Sequence, residues 1–503
     1  MSFQRASGVL LHPTSLPGTG GIGDLGQTAY QFVDFLTRSG QTAWQVLPLG
    51  PTGYEHSPYT MNFSAFAGNP LLISLEQLIE EGFIQPEEFS PLLNSNPDRV
   101  EFDRVIPYKY QLLHVAFKRF QTSFLTGEQQ TQFEQFCQEQ AWWLDDFVLF
   151  MALLEANAGE SWNHWEPAIA RREPAALQAQ TIALREQIQF QQFLQFKFFQ
   201  QWSNLRAYAN QKNIKIIGDV SIYVCHNSAD VWANPDLFKL DPQTLEPAYI
   251  AGVPPDYFSA TGQLWGNPVY AWERSQATNF DWWIKRFKAT LQYVDLVRVD
   301  HFRGFEAYWQ VPAGETTAIN GEWVKAPGEE FFTTLGNTLG SLPILAEDLG
   351  IITPEVEALR DRFEFPGMRI LMFAFSEDAS SIHLPHHYPR NSVVYSGTHD
   401  NDTAIGWWAT ASVAERQFLA HYLGYDQADQ IQEINWVLIR TALASVANLA
   451  IIPLQDILGL DGQARMNDPS QYAGNWRWRY QHANLLTETL SQRLLHLTKL
   501  YSR

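Results

Sequence analysis

The chain has 503 residues, 45% of them hydrophobic, which is enough for a large core and too apolar for a disordered protein. Asp and Glu number 54 against 34 Lys and Arg, a formal net charge of −20 that repels nucleic acid and anionic membrane surfaces and leaves a neutral ligand unaffected. Cys137 and Cys225 are too few for a disulfide framework, no apolar run reaches the roughly 18 residues of a membrane span, and Met1-Ser2-Phe3-Gln4-Arg5 opens no signal peptide, so a cytoplasmic protein is expected.

Eight apolar runs read as buried parallel strands with helical patterns between them. In chain order they are Thr42–Leu49, a stretch near Leu71-Leu72-Ile73, Ile214–Asp219, Val294–Asp300, Ile344–Glu347, Met368–Phe375, Ser392–Ser396 and Leu449–Leu454. Eight strands at helix-length separations predict one (β/α)8 TIM barrel spanning 1–503. Little chain follows the last run, so no C-terminal β-domain is expected. Two separations are too long for a single crossover helix. Apolar positions recur at three and four residues through the Gln-, Phe- and Trp-rich stretch before Ile214, which predicts a helical insertion over 75–212. Segment 225–290 is rich in Pro, Gly and aromatics, as in Gly252-Val253-Pro254-Pro255-Asp256-Tyr257-Phe258 and Leu264-Trp265-Gly266-Asn267-Pro268. It reads as loop and predicts a lid over the catalytic face.

Four of the strands end in acids: Asp219, Asp300 with His301, Glu347 with Asp348, and Asp400 after Thr398-His399. Acids at the carboxyl ends of several strands are how a TIM barrel builds an active site. A pair of carboxylates facing one bond is the apparatus that breaks glycosidic linkages. Arg298 and Asp300 are two apart on one strand and point to one side, so the cation should lower the pKa of Asp300, as a nucleophile requires. Alone, an Arg-x-Asp is more often a structural pair; the partner acids on other strands reverse that balance. Glu347, partly desolvated at a strand mouth, should have a raised pKa and hold a proton as general acid. Asp348 is its rival, but points the opposite way. Asp400 is a third acid, suited to gripping sugar hydroxyls, beside a helix start capped by Asp402 or Thr403. Asp219 reads as a support for Arg298.

The sequence contains no zinc or calcium spacing, no Walker loop and no dinucleotide fingerprint, so neither metal nor cofactor is expected; His383, His386 and His387 read as a surface loop. Aromatics at 14% of the chain serve mainly as core, with some free to stack on sugar rings.

These blocks resemble the amylomaltase (4-α-glucanotransferase) family of the α-amylase clan. Val297–Gly304, Ala346–Gly350 and Gly397–Thr403 look like the clan's signature blocks. Gly8–Pro17, Gly21–Gly26, His56–Tyr59, Gln263–Pro268, Ala464–Asn467 and Gly474–Arg479 are similar to blocks of that family, so the likeness covers nearly the whole chain. The resemblance implies Asp300 as nucleophile, Glu347 as general acid/base and Asp400 as transition-state stabiliser. It implies a sugar-binding shell of Ser57, Tyr59, Asp219, Arg298, His301, His399 and Asn467. It further implies Trp265 and Asp256 on a lid, with Tyr54 as a stacking candidate. The partners it implies are malto-oligosaccharides, amylose and glycogen-derived glucans. The alternative left open is an amylase-like hydrolase, which shares the first chemical step. A non-catalytic glucan binder is disfavoured because no acid of the set is missing.

Overall fold

Short apolar runs that are buried on both faces need cover on both sides, and a closed barrel ringed by helices provides it. The computed structural model describes residues 5–503 apart from 54–55, 60–61, 93–94, 124–126, 256–258, 377 and 472. Its strands in chain order are β1 (Ala6–Leu10), β2 (Ala43–Gln45), β3 (Lys215–Val220), β4 (Tyr249–Val253), β5 (Gln263–Pro268), β6 (Leu296–Val299), β7 (Ala307–Pro312), β8 (Glu322–Lys325), β9 (Ile344–Ala346), β10 (Gly367–Ile370), β11 (Ser392–Tyr395) and β12 (Leu449–Pro453). β1, β2, β3, β6, β9, β10, β11 and β12 close into a single parallel barrel in that order, with β1 pairing back onto β12. This is the expected (β/α)8 architecture.

One expected strand is wrong. The stretch at Leu71-Leu72-Ile73 forms a 3-10 turn, Pro70–Leu72, started by the fixed φ of Pro70 and by the Asn69 side chain, which accepts from Leu71 N. The missing barrel strand is β1. Its sequence, Ala-Ser-Gly-Val-Leu, is short and rich in small residues, so it gives little β signal. Small residues are needed there, because a Cβ on Gly8 would lie 2.4 Å from the Ala43 carbonyl oxygen of β2. The expected strand Met368–Phe375 is also cut short: β10 ends at Ile370 and a 3-10 turn, Leu371–Phe373, follows.

Between β2 and β3 lie the long helices Phe102–Ser123, Glu128–Ala156 and Arg185–Gln211. Phe117, Phe120 and Phe193 cluster among them at ring separations of 5.1–5.7 Å. Two buried glutamines of the last helix hold the chain that follows β2. Gln195 accepts from Gly68 N at 2.8 Å and donates to Gly68 O at 3.0 Å, and Gln201 makes the same pair of bonds with Ser74. In the stretch expected to be loop, β4 and β5 join β7 and β8 in a four-stranded antiparallel sheet of order β5-β4-β7-β8. β4 pairs with β5 inside the segment and with β7 outside it, and local composition does not reveal the second pairing. Among the described residues no helix is long and apolar enough to cross a membrane.

Candidate active site

Two barrel strands, β6 and β9, stop where an acid begins, while Asp219 lies within β3 itself. Asp300 follows β6 directly, and its backbone N–H still donates to Val220 O at 3.0 Å. Glu347 follows β9, and its N–H donates to Val299 O at 3.0 Å. His301 then takes a left-handed conformation with φ 48°, a strained choice for a residue with a side chain. That turn aims His301 N–H at Glu347, where it donates to Oε2 at 2.7 Å; Leu349 N–H donates to Oε1 at 2.9 Å. The residue next to Asp300 therefore fixes the second acid directly.

A chain of hydrogen bonds runs behind Asp300. Tyr59 OH donates to Asp219 Oδ2 at 2.8 Å. Arg298 Nη1 donates to both Asp219 oxygens at 2.9 and 2.7 Å and lies 3.0 Å from Asp300 Oδ1. One buried cation thus serves two carboxylates, with Glu347 close enough to feel it as well. Burial pushes Asp219 and Glu347 each up to about 7, with Arg298 pulling both back and the Asp300 charge adding to the rise. For Glu347 the direction is the expected one. For Asp300 it is the reverse: burial raises its carboxyl above the ordinary range, and the opposing pulls of Arg298 and His399 do not cancel it. The contact of Asp219 with Arg298 is the expected one; what the sequence does not show is that burial of Asp300 outweighs the cation beside it.

The third acid hangs from the loop after β11. Its side chain is 45% exposed, against 26% for Asp300. Asn467 Nδ2 donates to Asp400 Oδ1 at 2.7 Å, and His399 Nε2 lies 3.4 Å from the same oxygen. The expected helix cap is Thr403, whose Oγ1 accepts from Gly406 N at 3.0 Å. The His399 ring stacks flat on Tyr59 at 5.0 Å, which joins the third acid to the other two. Trp265 stands perpendicular to the His301 ring at 4.9 Å. Ser57 is buried under the turn that carries Tyr59, whose N–H donates to its Oγ at 3.3 Å. Burial pushes His301 down to about 4, so it is neutral at physiological pH. Asp256 and Tyr54 lie outside the described residues.

Asp348 is separated from the site as expected. It is buried and accepts from Arg360 Nη1 at 2.5 Å and Met368 N at 2.6 Å, with Arg369 Nη1 at 3.4 Å. Several supporting residues went unrecognised in the sequence. Arg465 donates to Asp400 O and to Asn467 O, both at 2.7 Å. Trp476 lies 5.7 Å from the Tyr59 ring and 5.8 Å from that of His399. Asp456, buried after β12, accepts from Ser396 Oγ at 2.6 Å and Ala404 N at 2.7 Å, and so pins both ends of the Asp400 loop. Arg465 and Trp476 fall inside motif blocks already singled out; Asp456 has no local signal at all. Among the described residues no group of His, Cys, Asp and Glu could hold a metal ion. His386 and His387 bond separately, to Tyr422 and to Ser381 O, while His383 accepts from Ile370 N.

Residues 11–486 match the model of a protein family described as 4-alpha-glucanotransferase. A 4-alpha-glucanotransferase of Synechocystis sp. is 56% identical over 100% of this chain and 99% of its own length. One from Thermus thermophilus is 48% identical over 97% of both chains. Among solved structures, an amylomaltase from Streptococcus agalactiae in complex with acarbose superposes with a TM-score of 0.94 at 40% identity, covering 99% of this chain and 100% of that one.

Proposed function

The chain belongs to the 4-alpha-glucanotransferase family, and on that premise we propose that Asp300, Glu347 and Asp400 divide the chemistry of the family's reaction among them. That reaction moves an α-1,4-glucan segment from a donor to the 4-hydroxyl of an acceptor by a retaining double displacement. An Asp300 oxygen attacks the anomeric carbon while Glu347 gives its proton to the departing glycosidic oxygen. The bond to the leaving glucan breaks and a glucosyl ester to Asp300 forms. The acceptor 4-hydroxyl then loses its proton to the Glu347 carboxylate and displaces Asp300 from the same carbon. One α-1,4 bond replaces another, so the exchange is close to isoenergetic.

The observation that carries this reading is the left-handed turn at His301, which ties the position after Asp300 to Glu347. Retention requires the two carboxyl groups about 5–5.5 Å apart across one linkage. Of the two acids raised to about 7, Glu347 is the one that holds the proton. Asp219 accepts two bonds from Arg298 and one from Tyr59, and a proton there would oppose three donors. Asp300 keeps the remaining contact with Arg298 and stays the nucleophile. Asp400, gripped by Asn467, is left to hold sugar hydroxyls as the ring flattens. Tyr59, His399 and Trp265 supply flat surfaces around the reacting sugar, with Ser57, His301 and Asn467 completing the shell. On this reading the described residues of segment 225–290 cover the cleft and keep water from the ester. Malto-oligosaccharides, amylose and glycogen-derived glucans are the partners this neutral, hydroxyl-seeking site suits, in a cytoplasmic setting and without metal or organic cofactor.

Incubation with maltotriose tests the reading. Glucose together with longer oligomers is expected; only shorter sugars would mean hydrolysis instead. Asp300→Asn or Glu347→Gln should lower the rate on maltotriose by about 10³-fold or more. Near-parental rates in either purified variant would refute the assignment.

A further inference from the structure

His12 takes part in no step described above, yet it sits against the machinery. It lies two residues past the end of β1, is 8% exposed, and its Nδ1 is buried without a hydrogen-bond partner. A buried polar atom left without a partner is destabilising. Beside it lies a cavity of about 20 Å3, whose lining includes His12, Ser15, Thr398, His399 and Gln455. One water needs about 10–15 Å3 and two to four polar partners, so the cavity has room for one.

The lining has bonding capacity to spare. Ser15 Oγ donates to Trp478 O at 2.8 Å and keeps its lone pairs. Thr398 Oγ1 donates to Asn401 Oδ1 at 3.0 Å and accepts from Asp400 N at 3.3 Å, which leaves one lone pair. A neutral imidazole nitrogen either donates or accepts, and water complements both.

We propose that this cavity is a built site for a single water held by His12 Nδ1, and that His12 through this water is a positioning residue for the Thr398-His399-Asp400 segment. The end of β1 would thereby set how far Asp400 projects into the cleft. The catalytic half of the proposal rests on the role read for Asp400; the water does not.

A crystal structure at about 1.5 Å resolution should show a water about 2.7–3.2 Å from His12 Nδ1. A well-ordered His12 with no density in the cavity overturns the site. Two variants separate positioning from bulk. His12→Leu fills the space with carbon, whereas His12→Asn keeps a polar atom close to where Nδ1 stood. On maltotriose, His12→Leu should lose about tenfold or more in kcat with KM changed less than about threefold, and His12→Asn should recover most of that loss. Unchanged kcat in His12→Leu overturns the positioning role, and so does an equal loss in both variants. Asp400→Asn provides the separate control. If it is inactive while His12→Leu is normal, only this inference fails; if it is fully active, the reading of Asp400 fails first.

Discussion

Glu347 shows how one carboxyl can cost stability while it serves chemistry. Burial lifts it to about 7, well above the value of about 4.3 for a free glutamate. Between those values the folded protein holds a proton that the unfolded chain has released. Its contribution to stability is therefore full below about pH 4 and is lost as pH rises through about 7. The Glu347→Gln variant has no such proton. Whatever fixed offset the amide introduces, the Tm difference between variant and parent should move in favour of the variant between about pH 5 and about pH 8. A difference that stays constant across that range would place the proton on another group. The same residue marks how far sequence reading reaches. Its identity, its place at a strand mouth and the direction of its shift all follow from Ile-Leu-Ala-Glu. The His301 turn that orients it does not, because a positive φ on a histidine leaves no trace in composition.

Elements differ in how openly they announce themselves. β3, β6, β9, β11 and β12 are legible because their apolar runs satisfy local and global demands together. β1 is not, since the close approach to Ala43 selects Gly8 and leaves the strand without bulk. The four-stranded antiparallel sheet is hidden for another reason: β4 pairs with β7 across the whole of β6 and its loops, and non-local pairing leaves no periodic mark. The acids were separable by alternation alone. Glu347 faces the cleft and Asp348 faces the shell, where it neutralises buried Arg360 and Arg369 and holds β10 in place through Met368 N. Asp348→Asn should therefore destabilise by about 3–5 kcal/mol, because it leaves buried cations uncompensated. Urea unfolding with an unchanged m-value would measure it; a loss below about 1 kcal/mol would show that the arginines find other partners.

The whole molecule carries a charge of −20 and acts on sugars that carry none. Steering by a protein's field acts on charged ligands, and salt screens it within about 10 Å at 0.1 M and about 3 Å at 1 M. The kcat/KM for maltotriose should change by less than about twofold across that range of salt. A tenfold change would point to a charged group that must move before the sugar binds.

The closure of the barrel has a consequence during synthesis. One neighbour of β1, β2, follows it closely in the chain, but its other neighbour is β12, with Ala6 facing Leu449. At about 5–20 residues per second, a ribosome takes roughly 20–90 s to make the intervening chain. For that time the opening strand waits with one open edge, the kind of surface on which nascent chains stick to one another. Newly made copies should lean on chaperones until the last strand arrives.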